Sequence, residues 1–281
     1  MTPVTTPEAT PAATAVTTDT VPISRILAFS ALVLVAACLL SAPFAMDLLP
    51  PEAAALVVPI AQFTPLLAAL LVRRRPGQLR ADLGLMVPSG RALVLGMLLA
   101  IAVFTVVPVL RVLASVALGS AAWSAPEEAA AILVALPLVA VLQTLLAFGE
   151  ETGWRGWLHG ALSPYGILVT ALVTAVLWAL WHLPIVLALG MGPTDSIAYL
   201  GTIAAVSPLL TVLRELSGSI WPALLAHGLL NSLRVAIEQN LTTPLSGGPE
   251  RWILEAASWS MWIAAAALVL WLAGRRPSAR A

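Results

Sequence analysis

Long apolar runs separated by short polar breaks dominate this chain. Eight of them, at about residues 26–46, 52–72, 92–118, 130–155, 168–190, 196–213, 219–237 and 252–273, approach the roughly 20 residues that a helix needs to cross hydrocarbon. The pattern therefore predicts an all-α, polytopic membrane protein with about eight transmembrane helices. Residues 1–20 are rich in Thr, Pro and Ala, carry Glu8 and Asp19, and have no basic residue. They lack the positive start and adjoining apolar core of a secretory signal and read as a disordered tail. The expected organisation is a disordered cytoplasmic tail over 1–24, a helical membrane domain over 25–273, and a cytoplasmic tail over 274–281.

Composition sharpens this. Hydrophobic residues make up 60% and charged residues 10% of the chain, with a mean hydropathy of +0.96, which excludes an ordinary soluble domain. With 14 basic and 14 acidic residues, the charge balance offers nothing to nucleic acid; the partner it implies is the lipid bilayer. The single cysteine, Cys38, lies in an apolar run and reads as a small buried hydrophobe. All 14 basic residues are arginine. With the 73–91 loop placed inside, eight spans put both termini inside. Eleven arginines then lie inside (Arg25, Arg73, Arg74, Arg75, Arg80, Arg91, Arg155, Arg214, Arg275, Arg276 and Arg280) against Arg111, Arg234 and Arg251 outside. The Arg-only, Ala-rich composition points to a bacterial cell membrane.

Three polar clusters interrupt the spans. Glu150, Glu151 and Arg155 close an uncharged run from Ala130 to Phe148. Carboxylates in hydrocarbon are costly, so the cluster is a candidate functional site. On a helix Glu151 and Arg155 are i,i+4 neighbours and can pair, whereas Glu150 points about 100° away and is expected to face a cavity. Gln143 and Thr144, two turns earlier, are candidate supporting groups. His182 stands in Trp178-Ala179-Leu180-Trp181-His182, and His227 and Asn231 share one helix face. Glu150 and His182 both lie 16 residues from Gly166 in the turn Ser163-Pro164-Tyr165-Gly166, so an antiparallel hairpin would set them level. Each cluster alone could be packing glue between helices. Together, at one depth, they predict a polar intramembrane catalytic cavity.

The chemistry available is hydrolytic. A desolvated glutamate can act as general base on a water shared with a histidine, and a second His with an Asn amide can stabilise a carbonyl oxyanion. Alternatively Glu150, His182 and His227 could ligate Zn²⁺ and activate the water, although no His-Glu-x-x-His motif occurs.

The three motifs, Glu150-Glu151-x-x-x-Arg155, Trp178-x-x-x-His182 and His227-x-x-x-Asn231, resemble those of the CPBP family. These are the CAAX protease and bacteriocin-processing membrane proteins, also called ABI. Arg155-Gly156 and Ser219-Ile220-Trp221-Pro222-Ala223 fit as well, and the likeness spans about 134–233. Trp178 stands where the family's second motif more often has Phe. The resemblance implies an intramembrane endopeptidase, of metallo- or glutamate type, acting on a peptide or membrane-anchored protein. It implies Glu150 as base, His182 as its partner in polarising water, His227 and Asn231 as the oxyanion hole, and Glu151 and Arg155 as orienting groups. No cofactor is favoured, because Asn and Arg suit an oxyanion site better than a closed metal shell.

Two other classes stay open at this level: a non-catalytic scaffold or immunity protein on the same fold, and a proton-coupled transporter relaying through Glu150 and His182. No internal repeat supports the transporter. His159 reads as non-catalytic, and Arg111 as snorkelling to the outer surface. Glu255 is expected at the outer start of the last span, beside Trp252 and Trp259. Residues 80–85 read as an amphipathic segment on the inner surface, drawn to anionic lipid by the loop's arginines.

Overall fold

The computed structural model describes residues 20–73, 77–123, 129–233, 236, 242–245 and 248–274. Most of the N-terminal tail, Arg74, Arg75, Arg234 and the arginines of the C-terminal tail lie outside them. The chain is an all-α bundle. In order come α1 (Ile23–Ala45), α2 (Ala54–Ala61), α3 (Thr64–Val72), α4 (Leu79–Asp82), α5 (Gly90–Ala117), β1 (Ala121–Trp123), α6 (Ala129–Leu146) and α7 (Phe148–Glu151). A π-helical stretch, Thr152–Leu158, leads into α8 (His159–Leu162). Then follow α9 (Ile167–Ala188), α10 (Pro193–Ser217), α11 (Trp221–Leu233), β2 (Thr242–Pro244) and α12 (Pro249–Gly274).

Among the described residues, seven helical segments are long and apolar enough to cross a membrane. The expected crossing at 219–237 begins in α11, of which 13 residues are described. The path crosses the bundle. β2 pairs antiparallel with β1, which follows the far end of α5, so α11 carries the chain from the end of α10 to the opposite end. Large hydrophobics stay exposed along α1, α5, α6 and α9 where lipid would lie, among them Leu39, Leu98, Val134 and Leu172. Cys38 is on that outer face, not buried: the inward stripe of α1 is taken by Phe29, Val33 and Ala37, one position before it.

Two predicted spans are broken. The 52–72 run divides at Gln62 and Phe63 into α2 and α3, and the 130–155 run leaves α-geometry after Glu151. The breaks meet. A β-carbon on Gly149 would lie 2.6 Å from Phe63 Cα, and one on Gly153 would lie 2.6 Å from the Pro65 carbonyl carbon. Only glycine lets the two backbones come this close. Gly153→Ala is therefore expected to cost about 1–3 kcal/mol by overpacking, read as earlier thermal unfolding in detergent. Aromatic packing secures the same region, with Phe29 of α1 edge-on to Trp154 (5.4 Å between centroids) and stacked on Trp157 (5.0 Å).

The arginine-bearing loop packs onto one end of the bundle. Only Leu79–Asp82 is helical, Leu83 is buried, and the Gly84 carbonyl accepts the Ile220 N–H at 3.0 Å. The segment is tied into the bundle end at Leu83 and Gly84, with Arg80 and Ala81 exposed. Arg73 pairs with Asp82 at 3.2 Å.

Candidate active site

α7 and the π-helical stretch place three charged side chains inside the bundle: Glu150 is 1% exposed, Glu151 and Arg155 0%. Arg155 Nη1 donates to Glu151 Oε1 at 3.0 Å, the pairing that i,i+4 spacing predicts. Its Nη2 donates to Ser207 Oγ of α10 at 2.9 Å, and the guanidinium lies 4.4 Å from the ring centroid of Trp178. The wide π turns leave the Arg155 carbonyl to accept from Arg214 Nε at 2.9 Å. Glu151 Oε2 and Arg155 Nε have no hydrogen-bond partner among the described residues.

Glu150 is held separately. Trp178 Nε1 donates to its Oε2 at 2.6 Å, and Gln62 Nε2 donates to its Oε1 at 3.1 Å. His227 of α11 lies between the two carboxylates. Its Nδ1 is 2.8 Å from Glu151 Oε1, and its Nε2 is 4.0 Å from Glu150 Oε1. A carboxylate accepts, so Nδ1 carries the proton and Nε2 is presented toward Glu150. His227 is thus anchored to Glu151, a tie that its expected grouping with Asn231 alone did not foresee.

His182 lies one turn beyond the residue that meets Glu150. Its Nδ1 donates to the Trp178 carbonyl at 2.8 Å, which leaves Nε2 as the acceptor nitrogen of the neutral ring. It sits edge-on to Trp181 and Tyr199. Trp178, one turn before His182, is thus the residue of α9 that meets Glu150.

A cavity of about 750 Å³ adjoins these groups. Gln62, Gln143, Trp178, His182, His227 and Asn231 all line it. Glu150 does not, contrary to the expectation that it faces the cavity; it sits directly behind Gln62, Trp178 and His227. The Asn231 amide makes no hydrogen bond among the described residues. Thr144 is not a supporting group: its hydroxyl bonds back to the Ala140 carbonyl at 2.7 Å, where Gly228 packs against it.

The residues do not fit a metal. Among the described residues no three His, Cys, Asp or Glu side chains gather in a way that could hold one. Both Glu150 oxygens meet hydrogen-bond donors, and His227 turns its Nδ1 to Glu151.

Three outlying polar residues have partners of their own. His159 Nε2 is 3.1 Å from Glu215, which accounts for it without a catalytic role. Arg111 does not simply snorkel outward: it donates to Glu255 at 2.6 Å, and Glu255, in the first turns of α12 as expected, is buried at the cavity.

Sequence reasoning missed Gln62, Ser207 and the indole N–H of Trp178. Gln62 had a signal: it is the one amide in the 52–72 run, whose other polar residues are Glu52 and Thr64.

Fold and site together define an integral membrane protein of helical spans with a buried glutamate–arginine–histidine centre beside an intramembrane cavity. Residues 127–233, which carry all six predicted site residues, match the family model described as Rce1-like, the type II CAAX prenyl endopeptidases. Over this segment the chain is similar to the CPBP and CAAX-protease family of intramembrane proteases. No curated protein matches the chain.

Proposed function

We propose that the protein is an intramembrane endopeptidase in which Glu150 activates water. The observation that carries this reading is the placement of Glu150. It is a buried carboxylate directly behind the wall of a largely apolar cavity, hydrogen-bonded by two wall residues and 4.0 Å from His227 Nε2. That separation lets one water bond to both groups. Gln62 sits at the break between α2 and α3, outside regular helix, so a turn of its amide uncovers Glu150 Oε1 to the cavity.

In this mechanism Glu150 takes a proton from the water and the resulting hydroxide attacks the scissile carbonyl. The Asn231 amide donates to the developing oxyanion. His182, which lines the cavity beside Trp178, helps orient the water. Collapse of the tetrahedral intermediate expels the amine, which takes the proton back from Glu150. Glu151 and Arg155 position His227 and do not touch the reacting atoms. The substrate is a peptide or membrane-anchored protein in the bilayer.

The test is a comparison of peptide termini in membranes holding wild type or Glu150→Gln, with His182→Ala as a second probe. Termini present with wild type and lost with both variants are expected. If both folded variants keep every terminus, the chain is a scaffold and the protease reading fails.

A further inference from the structure

The cavity is confined to one half of the bundle. α1, α5 and α9 contribute only from their C-terminal halves, through residues such as Ser41, Val107 and Ile185. α10 contributes only from its N-terminal half, through Tyr199, and α12 from its start to just past its midpoint, through Glu255 and Trp262. These halves all point to the end where the chain turns between α9 and α10 and where β1 pairs with β2. Met191, in the first of those turns, lines the cavity at that end.

Charge divides the ends the same way. Among the described residues, Arg25, Arg73, Arg80, Arg91 and Arg214 lie toward the opposite end, at the starts of α1 and α5, in the loop between them and at the close of α10. The cavity end has Arg111 and Arg251, each paired with a carboxylate at 2.6 Å (Glu255 and Asp195), alongside Asp47, Glu52 and Glu250. Short cytoplasmic segments carry the arginine excess in membrane proteins. We infer that the cavity opens on the extracytoplasmic face, so that the site receives an extracytoplasmic polypeptide segment, apolar where it fills the cavity, and not a cytosolic chain end. The substrate half of this inference rests on the proposed protease activity; the orientation does not.

Orientation and substrate entry are tested together in a Cys38→Ala background carrying Met191→Cys or the exposed Thr194→Cys at the cavity end, or Ser163→Cys at the other. Intact cells are treated with a bulky, membrane-impermeant maleimide. Labelling of Met191→Cys and Thr194→Cys without permeabilisation, and of Ser163→Cys only after it, is expected. The reverse pattern, or equal labelling at both ends, overturns the inference, and Thr194→Cys decides if Met191→Cys does not fold. Maleimide on Met191→Cys is further expected to suppress, at least tenfold, formation of the termini that depend on Glu150, with no such effect from Ser163→Cys. Unchanged termini after complete Met191→Cys labelling would sink entry through this mouth. If the labelling holds but Glu150→Gln alters no termini, the protease reading fails while the orientation stands.

Discussion

Glu150→Gln is expected to lower peptide cleavage by about 10²–10⁴-fold, the range for loss of a positioned general base, while leaving the protein folded. The substitution keeps the shape of the side chain and removes its basicity. The surroundings can absorb it. Trp178 Nε1 needs an acceptor and finds it in the new amide oxygen. Gln62 now donates to Glu150 Oε1 but is itself an amide, so a half-turn presents its own oxygen to the new NH₂ group. Glu150→Ala is a worse probe, since it strands two buried donors at about 1–3 kcal/mol each. The measurement is turnover of a cleaved membrane peptide by purified protein in lipid, with thermal unfolding recorded on the same samples. Full turnover by a stable Glu150→Gln protein would remove Glu150 from the chemistry and leave the site without a base.

What the sequence made legible depended on how local the cause was. The runs of apolar residues are long enough that hydropathy alone marks the spans, and the Glu151–Arg155 contact follows from spacing on a single helix. Gln62 was not legible as a site residue. Its partner is 88 positions away, and no local rule joins the break in one span to the glutamate of another. The π-helical stretch was hidden for a related reason. Its glycines read as a motif, but what they permit is backbone approach to Pro65 and Leu83, which is a tertiary fact. In the fold the residue of α9 that meets Glu150 is Trp178, one turn before His182. The tryptophan had looked like a mild variant of a phenylalanine position, yet its indole N–H holds the carboxylate at 2.6 Å, which no phenylalanine could do. Cys38 failed on a finer scale, since one position, about 100° of helix, separates the buried Ala37 from the exposed cysteine.

The second large effect concerns the pair beside the base. Arg155→Met is expected to destabilise the protein by about 3–5 kcal/mol, because it leaves the Glu151 charge buried with only His227 as a donor. Glu151→Gln should cost a similar amount by stranding the guanidinium, whose remaining contacts are Ser207 and the face of Trp178. Combined, the two substitutions remove both charges at once. The double variant is therefore expected to be more stable than the sum of the single effects predicts, by at least about 1 kcal/mol of coupling in unfolding measured in detergent. Additive losses would mean that the pair is not the interaction holding α7 to the π-helical stretch. The same double variant separates anchoring from chemistry. Glutamine at 151 still offers His227 Nδ1 an oxygen, so the imidazole keeps its place beside Glu150. If Glu151 and Arg155 only position His227, cleavage should survive in the double variant within about tenfold of wild type, whereas Arg155→Met alone should fall further. A double variant that folds but is as inactive as Glu150→Gln would assign the arginine a direct part in the reaction, and its guanidinium, not the Asn231 amide alone, would then be the group that meets the oxyanion.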